Sequence, residues 1–281
     1  MKEEKHIFLK EFLNFINNNI ESFQCDVLPI NAQEFFKNNF KLEKKKTSLM
    51  QYPDFGLYIY NKKNYLLTIR CGNIGQKGKG GHSHNDQLSF TLQKGINKII
   101  VDSGTYTYTS NHKLRNKYRS TSMHNTLQIE EIEQNDWFEG DKDDLFWLIT
   151  DRTKSEVISV NESEFIGMHN GFGVHYQRRF ILQDNMLTCQ EICEKKGLKK
   201  VYFHFQPSVE LIFTNFRSVE IIIRDKLIAE LRYKDEVKIE GYDYSPMYGI
   251  LIPAKKLTIE SYHTSIEWQI EINTQSYDKN Y

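Results

Sequence analysis

From Tyr52 onward the chain is a succession of short apolar–polar alternations separated by turn residues, and this limits the fold more than any other feature. A side-chain period of two belongs to a strand with one buried face. "GLYIYNKKNYLLTIRC" reads as strand, Asn-Lys-Lys-Asn turn, strand, and "DQLSFTLQKGINKIIVDSG" as another hairpin-like unit. "HNTLQIEE", "LFWLITDR", "VHYQRRFILQDNMLTCQEIC", "KKVYFHFQPSVELIF", "EIIIRDKLIAELRYKDEVKIEGYDYS" and "LTIESYHTSIEWQIEI" continue the pattern. Turn signals such as Gln-Asp-Asn and Asp-Lys fall between them at β-sandwich spacing. The alternation argues for antiparallel sheets with one solvated face. The expected fold class is therefore mainly β, an antiparallel β-sandwich. A length of 281 residues suits one large all-β unit or two small domains.

Residues 1–48 have a different texture. Ile7, Phe8, Phe12, Phe15 and Ile16 recur at helical spacing. "NAQEFFKNNFKLEKKK" repeats that character after Pro29, with Asn31 placed as an N-cap and a solvated Lys run at its end. The expected division is a short α-helical lead and linker over 1–48, followed by the sandwich over 49–281.

Composition excludes some functions. Lys+Arg and Asp+Glu balance at 37 each, so no global basic field draws nucleic acid. Aromatics at 13% suit strands and also line sugar-binding surfaces. No apolar run approaches a membrane span. The opening "MKEEKHIFLKEF" is charged where a signal peptide is apolar, which sets the expectation of a cytoplasmic protein as written. Cys25, Cys71, Cys189 and Cys193 have no zinc-ribbon spacing and read as buried thiols. On a strand, Cys189 and Cys193 share a face. The acidic cluster Asp141, Asp143 and Asp144 lacks a calcium loop's ligand spacing and reads as a solvated turn. His6, His112, His169, His175, His204 and His263 read as surface or strand histidines.

The chemistry concentrates in "GKGGHSHNDQLSF", residues 78–90. Gly75, Gly78, Gly80 and Gly81 allow a tight turn or close approach to a ligand. On an extended backbone His82 and His84 lie on the same side. Downstream, "IIVDSGTYTYT" carries an apolar strand into Asp102, a carboxylate that needs a partner if buried. "RSTSMHNTLQI" sets His124 just before another strand. Two imidazoles and a carboxylate, His84, His124 and Asp102, suit Zn²⁺ if they converge. Spacing alone leaves open whether they do so or each forms hydrogen bonds in its own turn.

The run "GGHSHNDQLSF…VDSGTYTYT…LRNKYRSTSMHNTLQI" resembles the heparinase II/III-like polysaccharide lyases. "YPDFGLYIYNKKNYLLTIRCG", "HYQRRFILQDNMLTCQEIC" with "FHFQP", and "GYDYSPMYGILIPAKKL" extend the resemblance over about residues 50–272. It implies a carboxy-terminal β-sandwich packed on an α/α toroid, with the cleft between them. It implies a structural zinc on His84, Asp102 and His124. His82 matches the histidine that reaches the substrate, and Tyr118 and Arg119 match a cleft-facing loop that contacts an acidic sugar or shapes the cleft.

The reaction so implied is β-elimination on a uronic-acid-containing glycan. A base removes the C5 proton once the neighbouring carboxylate is neutralised, and an acid protonates the departing O4. In the family the tyrosine base and the carboxylate-neutralising residue come from the toroid, which about 45 leading residues cannot form. Three readings follow: the sandwich part of a lyase, active with a toroid supplied elsewhere; a non-catalytic module that binds acidic polysaccharide or serves as a scaffold; or a fragment with no function of its own. Family members are commonly periplasmic, so that compartment is implied if the chain belongs to an exported lyase.

Overall fold

The computed structural model describes residues 48–75, 78–138 and 146–274. The helical lead expected over 1–48, with His6 and Cys25, lies outside the described residues apart from Ser48, as does the Asp141–Asp144 cluster. All the other described residues belong to one compact unit, Leu49–Tyr281.

In chain order the elements are β1 (Leu49–Tyr52), β2 (Leu57–Asn61), β3 (Leu66–Arg70), β4 (Phe90–Lys94), β5 (Asn97–Ile100), α1 (His112–Arg119), a 3₁₀ turn (Thr121–Met123) and β6 (Leu127–Ile129). There follow β7 (Glu156–Asn161), β8 (Glu164–His169), β9 (Tyr176–Leu182), β10 (Met186–Cys193), β11 (Lys199–His204) and β12 (Val209–Asn215). The last five are β13 (Ser218–Ile223), β14 (Lys226–Tyr233), β15 (Glu236–Tyr244), β16 (Ile252–Ser261) and β17 (Ser265–Ile272). They form a five-stranded sheet ordered β1-β2-β3-β4-β5, an eight-stranded sheet ordered β12-β13-β14-β17-β10-β9-β8-β7, and a four-stranded sheet ordered β15-β16-β11-β6. The strand pairs are antiparallel, as the alternation predicts. No described helix is long and apolar enough to cross a membrane.

The alternation is literal in β10 and β17, where every second residue is buried. Cys189 and Cys193 both point inward on β10 and, with Cys71, are buried free thiols. The three sheets meet on Trp268 of β17. Its ring stacks on Phe90 of β4 at 5.4 Å and meets Phe180 of β9 and Phe203 of β11 edge-on at 5.9 and 4.9 Å. One side chain thus touches all three sheets, where aromatic burial and edge–face geometry both contribute.

The same core holds an ion pair. Arg178 of β9 faces Glu191 of β10 across the ladder, and both are fully buried. Glu191 also accepts from Tyr176 Oη at 2.7 Å and Trp268 Nε1 at 3.0 Å. Arg178 Nη1 donates to the carbonyls of Leu88 at 2.5 Å and Asn125 at 2.7 Å. A buried charge survives only with such complete pairing, and here the pairing anchors the backbone that carries the motif histidines.

Two segments depart from the sequence reading. Of "LFWLITDR", the described residues 146–152 make only an isolated bridge, between Trp137 and Leu148. Its backbone bonds to the motif loop instead: His82 N donates to Phe146 O and Leu148 N to Lys79 O, at 3.0 and 2.7 Å. Tyr118 and Arg119, matched to a loop, lie in α1. Asn111 caps that helix by accepting from Leu114 N, and Lys117 and Arg119 sit in its last turn.

Candidate functional site

Four chain segments build the site: the Gly78–Leu88 loop, the turn after β5, the stretch from α1 to β6, and the segment at Phe146. Asn85 clamps the first to its neighbours. Its N–H donates to Arg119 O at 2.8 Å, and its Nδ2 donates to Glu133 Oε2 and Asn135 O at 2.6 and 2.9 Å. Glu133 in turn accepts from the backbone and hydroxyl of Thr121, at 2.8 and 2.7 Å. Gly80 permits the loop's turn, with φ 53° and Ile74 lying where a Cβ would be. Gly104, with φ 87°, lets the turn after Asp102 press against the Ser245 carbonyl.

Asp102 and His124 are brought together. Asp102 Oδ2 lies 2.6 Å from His124 Nδ1, and Asp102 Oδ1 accepts from Gly104 N at 3.0 Å. Loss of solvent pushes the Asp102 carboxyl up, but the charge and hydrogen bond of His124 outweigh it and hold the group at about 2. For His124, burial favours the neutral ring, yet Asp102 wins and the imidazole is held above its usual range. Its Nε2 is buried and lacks a hydrogen-bond partner. The His84 ring lies 5.1 Å from that of His124 and is pushed down to about 3, first by loss of solvent and then by His124.

Asp102 and His124 pair, and the His84 ring lies beside them without completing a cage. Among the described residues no set of three His, Cys, Asp or Glu side chains is arranged to hold a metal ion. The donor types nonetheless fit zinc: two imidazoles and a carboxylate, with Asp102 and His124 already 2.6 Å apart and the His84 ring beside them.

His82 is exposed, and its backbone is not the extended one expected from the spacing: φ is 63°. The turn still brings both rings to Phe146, with His82 at 4.8 Å and His84 at 6.3 Å. The ring of Tyr108 stands edge-on to His82 at 5.2 Å and stacks on Tyr248 at 5.8 Å. His82 therefore sits on an aromatic rim.

Tyr118 and Arg119 lie inside. Tyr118 is 1% exposed, and its Oη donates to Asp243 O at 2.8 Å. Arg119 is fully buried, with its guanidinium 4.8 Å from the Trp137 ring and 5.0 Å from that of Phe146. Burial, then the nearby Arg115, pushes it down to about 9.

Sequence reasoning missed Asn125 and His204. Asn125 Nδ2 donates to Phe90 O and Val101 O at 2.9 and 2.8 Å, and its Oδ1 accepts from His204 N at 2.7 Å. It ties β4, the end of β5 and β11 at the residue next to His124. The available signal was its place inside the quoted "HNT".

A family model described as "Heparinase II/III-like, C-terminal" matches residues 44–272. The chain belongs to that family. No curated protein matches the sequence. Among solved structures, heparan sulfate lyase HepC from Pedobacter heparinus superposes with TM-score 0.68 at 14% identity, covering 97% of this chain and 43% of that one. A heparinase III, the BT4657 gene product, gives 0.66 at 14%, covering 96% and 42%. A further heparinase III gives 0.60 at 14%, covering 81% and 37%. At such identity the likeness is one of fold. This heparinase II/III-like chain spans about two fifths of the length of the lyases it superposes on.

Proposed function

We propose that this chain is the β-sandwich wall of a lyase that cleaves uronic-acid-containing polysaccharide by β-elimination, with His82 facing the glycan. The observation that supports it is an exposed His82 on an aromatic rim, in the same loop as the His84 that stands beside the Asp102–His124 pair. An imidazole placed at the rim can take up or give a proton at the reacting sugar. Tyr108 and Tyr248 give a stacked pair beside it, suited to the flat face of a sugar ring. In this reading Tyr118 and Arg119 shape the wall from beneath: Tyr118 holds the Asp243 backbone, and Arg119 fills the space behind Phe146.

One histidine does not neutralise a carboxylate, remove a proton and protonate a leaving oxygen at once. The reading assigns the other groups to an α/α toroid, in the same polypeptide or another. His84, Asp102 and His124 would hold Zn²⁺, which when bound ties their three loops together and has no step in the elimination.

The test is absorbance from unsaturated uronate, on heparan sulfate, alginate and other acidic glycans, for the chain alone and together with a toroid domain from a family member. Product with the toroid present, lost in His82→Ala, supports the reading. Glycan retention without product, also lost in His82→Ala, favours the alternative of a non-catalytic acidic-glycan module. Neither product nor retention under any combination overturns both.

A further inference from the structure

β15 starts at Glu236 and ends at Tyr244, beside the Ser245 that bonds the backbone of Ser103 and Tyr106 in the site. Nine residues of strand separate its two ends by about 27 Å. At the far end, the β12–β13, β14–β15 and β16–β17 turns enclose an open groove of about 910 Å³.

Aromatic side chains border this groove without being packed into the core. Phe216 is 82% exposed, Tyr262 74% and Phe213 52%. Three such rings around one concavity form an apolar surface that water contacts at a cost. Leu198, Val237 and Tyr233 add to the apolar lining, and the charged groups are balanced, three Lys or Arg against three Asp or Glu, with His263 beside them. Much of that charge is already paired. Lys238 Nζ lies 2.6 Å from Glu260, Lys234 pairs with Glu267, and Asp235 accepts from Ser261 Oγ at 2.6 Å. Arg217 lies over the Phe216 ring at 5.2 Å.

We infer that the groove is a second carbohydrate site, taking an uncharged stretch of polysaccharide. A polyanion gains nothing from a lining of zero net charge. A close-packed second copy of the chain would strip water from the ion pairs, which is costly. A neutral sugar chain avoids both costs. Its C–H faces cover the rings, while its hydroxyls both donate and accept, so they match carboxylates and ammonium groups side by side. The groove would then hold polymer well away from the His82 rim, whether or not that rim is catalytic.

The probes are hexasaccharides of β-1,4-glucan, β-1,4-mannan and β-1,4-galactan, with heparan sulfate and alginate oligosaccharides as anionic counterparts, titrated by calorimetry. At least one neutral hexasaccharide is expected to bind wild type and His82→Ala equally. The double variant Phe216→Ala/Tyr262→Ala is expected to weaken that binding at least about tenfold, and Phe216→Tyr to preserve it. These side chains are exposed, so unchanged melting of the variants separates lost binding from lost fold. The inference is overturned if no neutral hexasaccharide binds wild type, or if the double variant binds as well as wild type. It also falls if the double variant loses only anionic binding, or if sedimentation shows a concentration-dependent dimer that the double variant abolishes.

Discussion

Arg178 Nη2 lies 2.6 Å from Glu191 Oε1, both side chains are fully buried, and the same guanidinium holds the carbonyls of Leu88 and Asn125. The pair thus links the eight-stranded sheet to two backbone points close to the motif histidines. Its presence in the core reflects positioning as well as stability, because a buried ion pair by itself contributes little net stabilisation.

Removing one partner leaves the other charged, buried and unpaired. Arg178→Met is expected to cost about 3–5 kcal/mol in urea unfolding. Arg178→Lys is also destabilising, since an ammonium cannot replace the guanidinium's planar, several-pronged contacts. Adding Glu191→Leu to Arg178→Met restores only part of the loss, because Tyr176 Oη and Trp268 Nε1 then lack their acceptor. Full recovery in the double variant would show that the pair's other bonds carry no weight.

Metal analysis checks the zinc proposal. Purified without chelator, the chain is expected to carry about one zinc ion, and His84→Ala or His124→Ala almost none. Chelator lowers the wild-type melting temperature but leaves those variants unchanged, since an ion bound only to the folded state stabilises by mass action. Zinc-free protein that melts identically with and without added zinc would remove the proposal.

Much of the fold was legible because alternation reports directly on a half-buried strand. The β2–β3 and β9–β10 hairpins follow "GLYIYNKKNYLLTIRC" and "VHYQRRFILQDNMLTCQEIC" closely. Helix α1 was missed for a physical reason: its buried residues are Arg115, Tyr118 and Arg119, so it has no apolar stripe to read. Its Asn111 cap and basic last turn were the usable signals. The run at Phe146 alternates like a strand, but its backbone serves the His82 loop, a long-range pairing that local pattern does not encode. At the site, spacing alone left open whether His84, Asp102 and His124 converge, and the resemblance singled them out. The Asp102–His124 bond and the hub at Asn125 needed tertiary structure.

His82 combines exposure with a left-handed backbone, φ 63°, that a histidine adopts at some cost. Asn tolerates this region better. His82→Asn is therefore expected to leave stability unchanged or raise it by up to about 1 kcal/mol, while glycan retention or turnover at the rim falls. A clear loss of stability in His82→Asn would mean that the ring supports the fold rather than the ligand.

His169 gives the chain an acid-labile point that is not one of the proposed metal ligands. It is fully buried between Phe172 and Tyr176, its Nδ1 accepts from Gly171 N at 3.0 Å, and its Nε2 has no partner. Burial, with Arg178 second, pushes its pKa down to about 3. The folded state thus keeps the ring neutral while the unfolded chain takes up a proton below about 6.5. Its contribution to stability is complete above that pH. Between about 6.5 and 3 it is lost at up to about 1.4 kcal/mol per pH unit, because the unfolded state then binds more protons. Below about 3 both states are protonated and the slope from this group ends. Urea unfolding at a series of pH values should show wild-type stability falling more steeply than that of His169→Gln across this window. Parallel curves would mean that the buried ring is protonated as readily as an exposed one.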